Sequence, residues 1–179
     1  MKIDFAAIVE EVVFKFTENH TGPKPRVFAK IPPDLPLVLG EDDGPERFSR
    51  YFLYEVLLRS NPETPVQIMV YRRARLKDLE DFVGLSPLYW IQLRVQAYGG
   101  GMIESTVEEV FQNAGYRCEE WVGVKGSSAG LAIFCPLEKD EPKMVFCVDT
   151  VKGVCKSDFL IPVSDPSLVL PFPSFQTKD

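Results

Sequence analysis

Apolar residues recur along this chain in two rhythms, and the changes between them divide it into elements. Over residues 4–19, Phe5, Ile8, Val9, Val12, Val13 and Phe16 fall at helical spacing and form one stripe. Asp4 is placed as its N-cap, and Gly22-Pro23 is its stop. A stripe this wide needs burial, so the helix should pack on a sheet. Residues 23–47 are broken by Pro23, Pro25, Pro32, Pro33, Pro36 and Pro45. The apolar runs Arg26–Ile31 and Leu37–Leu39 survive there, and either suits a short edge strand but not a central one. The run from Tyr51 to Leu58 is apolar almost throughout, so periodicity does not choose between helix and strand. Its aromatic and branched content favours strand, which predicts a β-hairpin over 49–72 with its turn at Ser60–Pro65. Arg75–Val83 reads as a short helix closed by Gly84.

Strict alternation is clearest from Trp90 to Tyr98. Ile91, Leu93, Val95 and Ala97 point one way, and Gln92, Arg94 and Gln96 the other. This predicts a sheet covered on one side, hence antiparallel, with the first set buried and the second markedly more exposed. After Gly99-Gly100-Gly101 the period returns to helical over Met102–Ala114, where Ile103, Val107, Val110, Phe111 and Ala114 share a face. Strands are predicted at Tyr116–Val124, Gly130–Cys135 and Lys143–Asp149, and the short run Phe159–Val163 would add an edge. The segment from Ser164 to Asp179 is interrupted by proline yet partly apolar, which predicts an extended tail that either clamps on its own domain or docks as a linear element in a partner's groove, the first being preferred. The sum is an α+β fold: one domain over 1–163, a largely antiparallel sheet with two main amphipathic helices packed on one face, and an extended Pro-containing C-terminal tail over 164–179.

Composition narrows the function classes. The chain has 179 residues, 45% hydrophobic and 12% aromatic, enough for a sizeable core. Its net charge of −6 gives no long-range attraction for nucleic acid or an anionic membrane surface. The one basic cluster, Arg72, Arg73, Arg75 and Lys77, is followed at once by Asp78, Glu80 and Asp81. No export signal or membrane-spanning run is legible, so the expected compartment is the cytoplasm. There the four cysteines, Cys118, Cys135, Cys147 and Cys155, are expected as reduced thiols, because their spacing lacks the close pairs of a zinc site. His20, the single histidine, falls at a helix end and reads as part of a cap, not as a base. Three carboxylates at Glu41-Asp42-Asp43 lack the alternate spacing of a calcium loop. No cofactor and no metal are expected.

Two features carry what functional signal there is. Strand, glycine turn and helix N-terminus at 99–103 make a backbone geometry that can hold an anion. The dinucleotide fingerprint fails, since Glu104 stands where its third glycine belongs. A ligand site there would draw on Gly99, Gly100 and Gly101 with Arg94, Arg117 or Lys125. The second feature is aromatic and apolar surface for a protein partner: Tyr89, Trp90, Tyr98 and Trp121, with Leu170 and Phe172 of the tail. The sparseness of catalytic residue types favours the second. The expectation is a non-catalytic interaction module, an adaptor, assembly factor or regulator, binding protein partners or further copies of itself. The alternative is an enzyme or sensor for a small anionic ligand.

Overall fold

A computed structural model of the chain describes residues 2–39, 43–73, 90–99, 104–123, 130–138 and 143–163. The predicted helix at 75–83, and with it Tyr89, Gly100, Gly101, Lys125, Leu170 and Phe172, lies outside the described residues. The elements run α1 Phe5–Asn19, β1 Val27–Lys30, α2 Gly44–Arg59, β2 Val66–Arg73, β3 Trp90–Tyr98, α3 Glu104–Asn113, β4 Tyr116–Gly123, β5 Gly130–Pro136, β6 Met144–Val151 and β7 Val154–Pro162. The described strands form one sheet in the order β1-β2-β3-β7-β6-β5-β4. Only β1 and β2 are parallel, joined by the crossover through α2; every other neighbour is antiparallel. The architecture is α+β, with three described helices and a mostly antiparallel sheet.

α1 begins where Asp4 Oδ1 accepts from the Ala7 backbone N–H at 3.0 Å. It buries Phe5, Ile8, Val9, Val12 and Phe16. α2 packs against both α1 and α3, and all three helices contribute to a single core on one face of the sheet. An aromatic cluster forms its centre. Phe48 of α2 lies 4.3 Å from Phe159, 5.0 Å from Phe111 and 5.2 Å from Phe134, ring centre to ring centre. These spacings suit offset and tilted packing.

Three expectations are corrected. Residues 48–59 are helix, so the hairpin over 49–72 does not exist, although its second strand does. A helix buries one face only, and α2 buries Phe48, Phe52, Leu53, Val56 and Leu57 while Tyr51 and Leu58 face outward. The run Phe159–Val163 is not an edge. It ends β7, a central strand paired over nine residues with β3 and over seven with β6. Finally, β3 alternates less than its sequence does. Gln92 is 4% exposed, hardly more than Ala97 at 3%, while Arg94 and Gln96 are half-buried. In register, Gln92 lies between Tyr71 and Leu160, whose side chains rise beside it from the neighbouring strands. The face opposite the described helices therefore has its own small cluster of Trp90, Val145 and Leu160, with Leu131 and Cys147 packed against it. Among the described residues, no helix is long and apolar enough to cross a membrane.

Candidate functional site

Of the residues expected at an anion site, Gly99, Arg94 and Arg117 are described. Gly99 has φ 72, a left-handed conformation that suits glycine. Its N–H, however, donates to the Gly153 carbonyl at 3.0 Å, and the preceding Tyr98 carbonyl accepts from Asn61 N–H at 2.9 Å. The turn thus ties three loops at one end of the sheet. Arg94 is committed to Asp158 through two parallel bonds, Nε to Oδ1 at 2.8 Å and Nη2 to Oδ2 at 3.2 Å. That bond holds the Arg94 guanidinium above its ordinary pKa, against the opposing effect of burial. Arg117 donates to the Pro136 carbonyl at 2.9 Å. It stands on β4, four strand positions from β3, which at about 4.8 Å per strand places it roughly 19 Å away.

Of the expected aromatic patch, Trp90, Tyr98 and Trp121 are described. Trp90 is 0% exposed and so offers no surface, a correction to its expected role. Burial at this position follows from the central place of β3, where the indole packs with Val145 and Leu160. Tyr98 is exposed at the end of the same strand. Trp121 lies on the edge strand β4, half-buried against the main core on the helix side.

The cysteines occupy separate environments, and none is bridged. Cys147 faces Asp158 across the β6–β7 pair on the face opposite the described helices, and Cys155 is buried on the side of those helices beside Ser157. Burial, and then the Asp158 charge, push the Cys147 thiol up to about 12. Cys135 is likewise raised, first by burial and then by Glu119, whose carboxylate is 3.8 Å from its sulfur. Thiols so placed are poor nucleophiles at neutral pH. Among the described residues, no group of three or more metal-ligating side chains gathers. His20 caps α1, and its ring stacks on Phe16 at 4.7 Å.

A different surface is assembled instead. α1 and α2 lie side by side and enclose an open groove of about 320 Å³, lined in part by Lys15, Arg47, Arg50, Tyr51 and Tyr54. At one end Arg50 Nε donates to Glu11 Oε2 at 2.8 Å and holds that carboxyl below its usual range. On the outer face of α2, Arg47, Tyr51, Tyr54 and Leu58 succeed one another at steps of four, three and four, one stripe of the helix. Tyr51 is 43% exposed, Leu58 45%, and Tyr54 is half-buried edge-on to Phe16. Phe14, on the outer side of α1, is 66% exposed.

The aromatic and branched content of 48–60 favours strand and so conceals this stripe in the sequence. The missed signal is electrostatic. Asp43–Arg47, Glu46–Arg50 and Glu55–Arg59 are three acid-to-base pairs at i,i+4, and all three close in the structure at 3.1, 3.5 and 3.3 Å. A second hollow of about 340 Å³ lies between the start of α2 and the α3–β4 turn, beside exposed Leu137.

No protein-family model and no curated protein matches the chain. Among solved structures, that of the mycobacterial sensor histidine kinase MprB superposes with a TM-score of 0.47 at 11% identity, over 90% of this chain and 95% of that one. A likeness at this level carries no functional argument.

Proposed function

We propose that the protein is a non-catalytic interaction module and that the outer face of α1 and α2 is its docking surface. One observation carries the reading: the stripe of Tyr51, Tyr54 and Leu58 beside an open groove. Tyrosine is favoured at interfaces because it offers a large rigid apolar body with a polar tip. Among the described strands, neither sheet edge competes as a docking element. β1 is four residues long and flanked by Pro25 and Pro32, and β4 carries a bulge at Cys118/Glu120 with exposed Glu119 and Glu120 beside it. Short, bulged and charged edges discourage strand addition. The partner is a protein, and a reducing cytoplasmic setting fits four unbridged thiols.

The test is affinity purification of the full chain and of Leu58→Asp from the native host, followed by reconstitution with the purified associate. The stoichiometric associate should be retained by the natural chain and lost by Leu58→Asp at unchanged folding. An identical set of associates for both proteins would overturn the reading.

A further inference from the structure

We infer that the outer face of α2 pairs with the same face of a second copy of this chain, antiparallel about a two-fold axis at Tyr51. The inference rests on the reading of that face as a docking surface and names its occupant. The observation is an order of charges. One row of α2, from its N-cap onward at steps of four, runs Asp43, Arg47, Tyr51, Glu55, Arg59. Glu55 is half-buried and the other four are exposed. The signs along the row are minus, plus, neutral, minus, plus. Reversed about Tyr51 they become plus, minus, neutral, plus, minus. An antiparallel copy centred there sets Arg47 against the partner's Glu55 and Asp43 against the partner's Arg59. Symmetry repeats each contact, so every charge of the row meets its opposite and none meets its like. Pairing within the helix explains each acid-to-base step. It does not explain a large exposed aromatic midway between the two.

The geometry suits such a contact. Rows at steps of four are the ridges that interlock in the commonest packing of two helices. Arg47, Tyr51 and Glu55 also line the open groove between α1 and α2, so a partner's ridge has space directly beside this one. Four residues advance the helix by about 6 Å in either direction, which brings the charged positions of both copies level when the tyrosines meet. The charges are available as well. Within one chain, Asp43 pairs with Arg47 at 3.1 Å and Glu55 with Arg59 at 3.3 Å, each pair through the arginine Nε. A guanidinium carries five N–H donors and a carboxylate accepts at two oxygens, so these exposed pairs extend across the axis without breaking. The row is neutral in sum, and the chain's net charge of −6 is therefore not concentrated at the contact.

The test is sedimentation velocity of the full chain over a concentration series. The natural chain should dimerise reversibly. Arg47→Glu and Glu55→Arg each set like charges face to face at two symmetry-related contacts and should weaken the dimer about tenfold or more. The double variant Arg47→Glu/Glu55→Arg restores opposite charges across the axis and should recover most of that loss. Within one chain it keeps an acid beside Asp43 and a base beside Arg59, so recovery reports the contact between copies and not helix stability. Tyr51→Glu, which places two carboxylates at the axis, should abolish the dimer, with folding of every variant checked by circular dichroism. A natural chain that stays monomeric at its highest soluble concentration overturns the inference. So does a dimer indifferent to the single reversals or intact in Tyr51→Glu, and so does a double variant no better than either single one. A monomer whose associated protein is still lost in Leu58→Asp overturns only the occupant. A dimer that obeys the charge swap, with an unchanged set of associates in Leu58→Asp, overturns the wider partner reading and leaves self-pairing standing.

Discussion

At the residue scale, stability concentrates in the phenylalanines where helix layer and sheet meet. Phe48 is 1% exposed and touches rings from α3, β5 and β7. Truncation would leave a cavity walled by rigid aromatics, and such cavities collapse poorly. Phe48→Ala is expected to lose about 3–5 kcal/mol of unfolding free energy by urea titration. Phe48→Leu, which refills most of the space, should lose clearly less. Cys147 makes a separate prediction. Its thiol titrates at about 12 in the folded chain against an ordinary 9.0, so folding favours the protonated form. The stability it contributes is whole below about 9 and is lost as pH rises toward about 12. Urea midpoints of the natural chain should therefore fall more steeply across that alkaline window than those of Cys147→Ala. Parallel slopes would show that the thiol is not so buried.

At the element scale, the lesson is α2. Strand propensity favoured Tyr51–Leu58, yet the segment is helix because half of it must meet the sheet and half the solvent. Propensity is a weak prior that tertiary packing overrides. The helix begins with Asp43 as its N-cap and Pro45 in its first turn, and position 44 is glycine because the ring of Tyr116, first residue of β4, occupies the space a side chain there would need. Gly44→Ala must displace that buried ring and is expected to cost about 1–3 kcal/mol by thermal or urea unfolding. Gly99→Ala has a different cause. The nearest atom to an added Cβ is 3.7 Å away, so space is adequate, but φ 72 disfavours any side chain. A loss of about 1–2 kcal/mol is expected there. Equal stability of Gly99→Ala and the natural chain would show that this turn relaxes freely.

At the scale of the whole molecule, the chain closes on itself through β7. α3 connects the central strand β3 with the far edge β4, and the meander β4-β5-β6-β7 returns to pair with β3. The β3–β7 pair joins residues more than fifty positions apart, and the Arg94–Asp158 bidentate ion pair spans it. A central pair with neighbours on both sides opens only when the sheet opens. Native-state hydrogen exchange should accordingly find the slowest amides in β3 and β7 and the fastest strand amides in β1. Slowest exchange in α1 would contradict this hierarchy. The Lys152-Gly153 turn between β6 and β7, with φ 53 and φ 79, makes the return possible, because paired left-handed residues match the twist of a tight hairpin.

What the sequence alone determined follows from local rules. The stripe of α1 with its Asp4 cap, the strand at 90–98, the helix after the glycines and the α+β class are all written in spacing and turn residues. Even the edge strand β1 was legible, since prolines on either side leave it no other place. What only the tertiary structure decided depends on neighbours distant in sequence. Whether an evenly apolar segment such as 51–58 coils or extends turns on how many of its sides find partners. Gln92 is buried because Tyr71 and Leu160 flank it, and Trp90 is buried by the same central position of its strand. Arg94, expected beside an anion, is consumed by Asp158, sixty-four residues away. The Tyr51–Tyr54–Leu58 stripe came into view only with the helix that carries it. A local pattern sets which faces a residue can occupy, and burial depends on what the rest of the chain brings to that face.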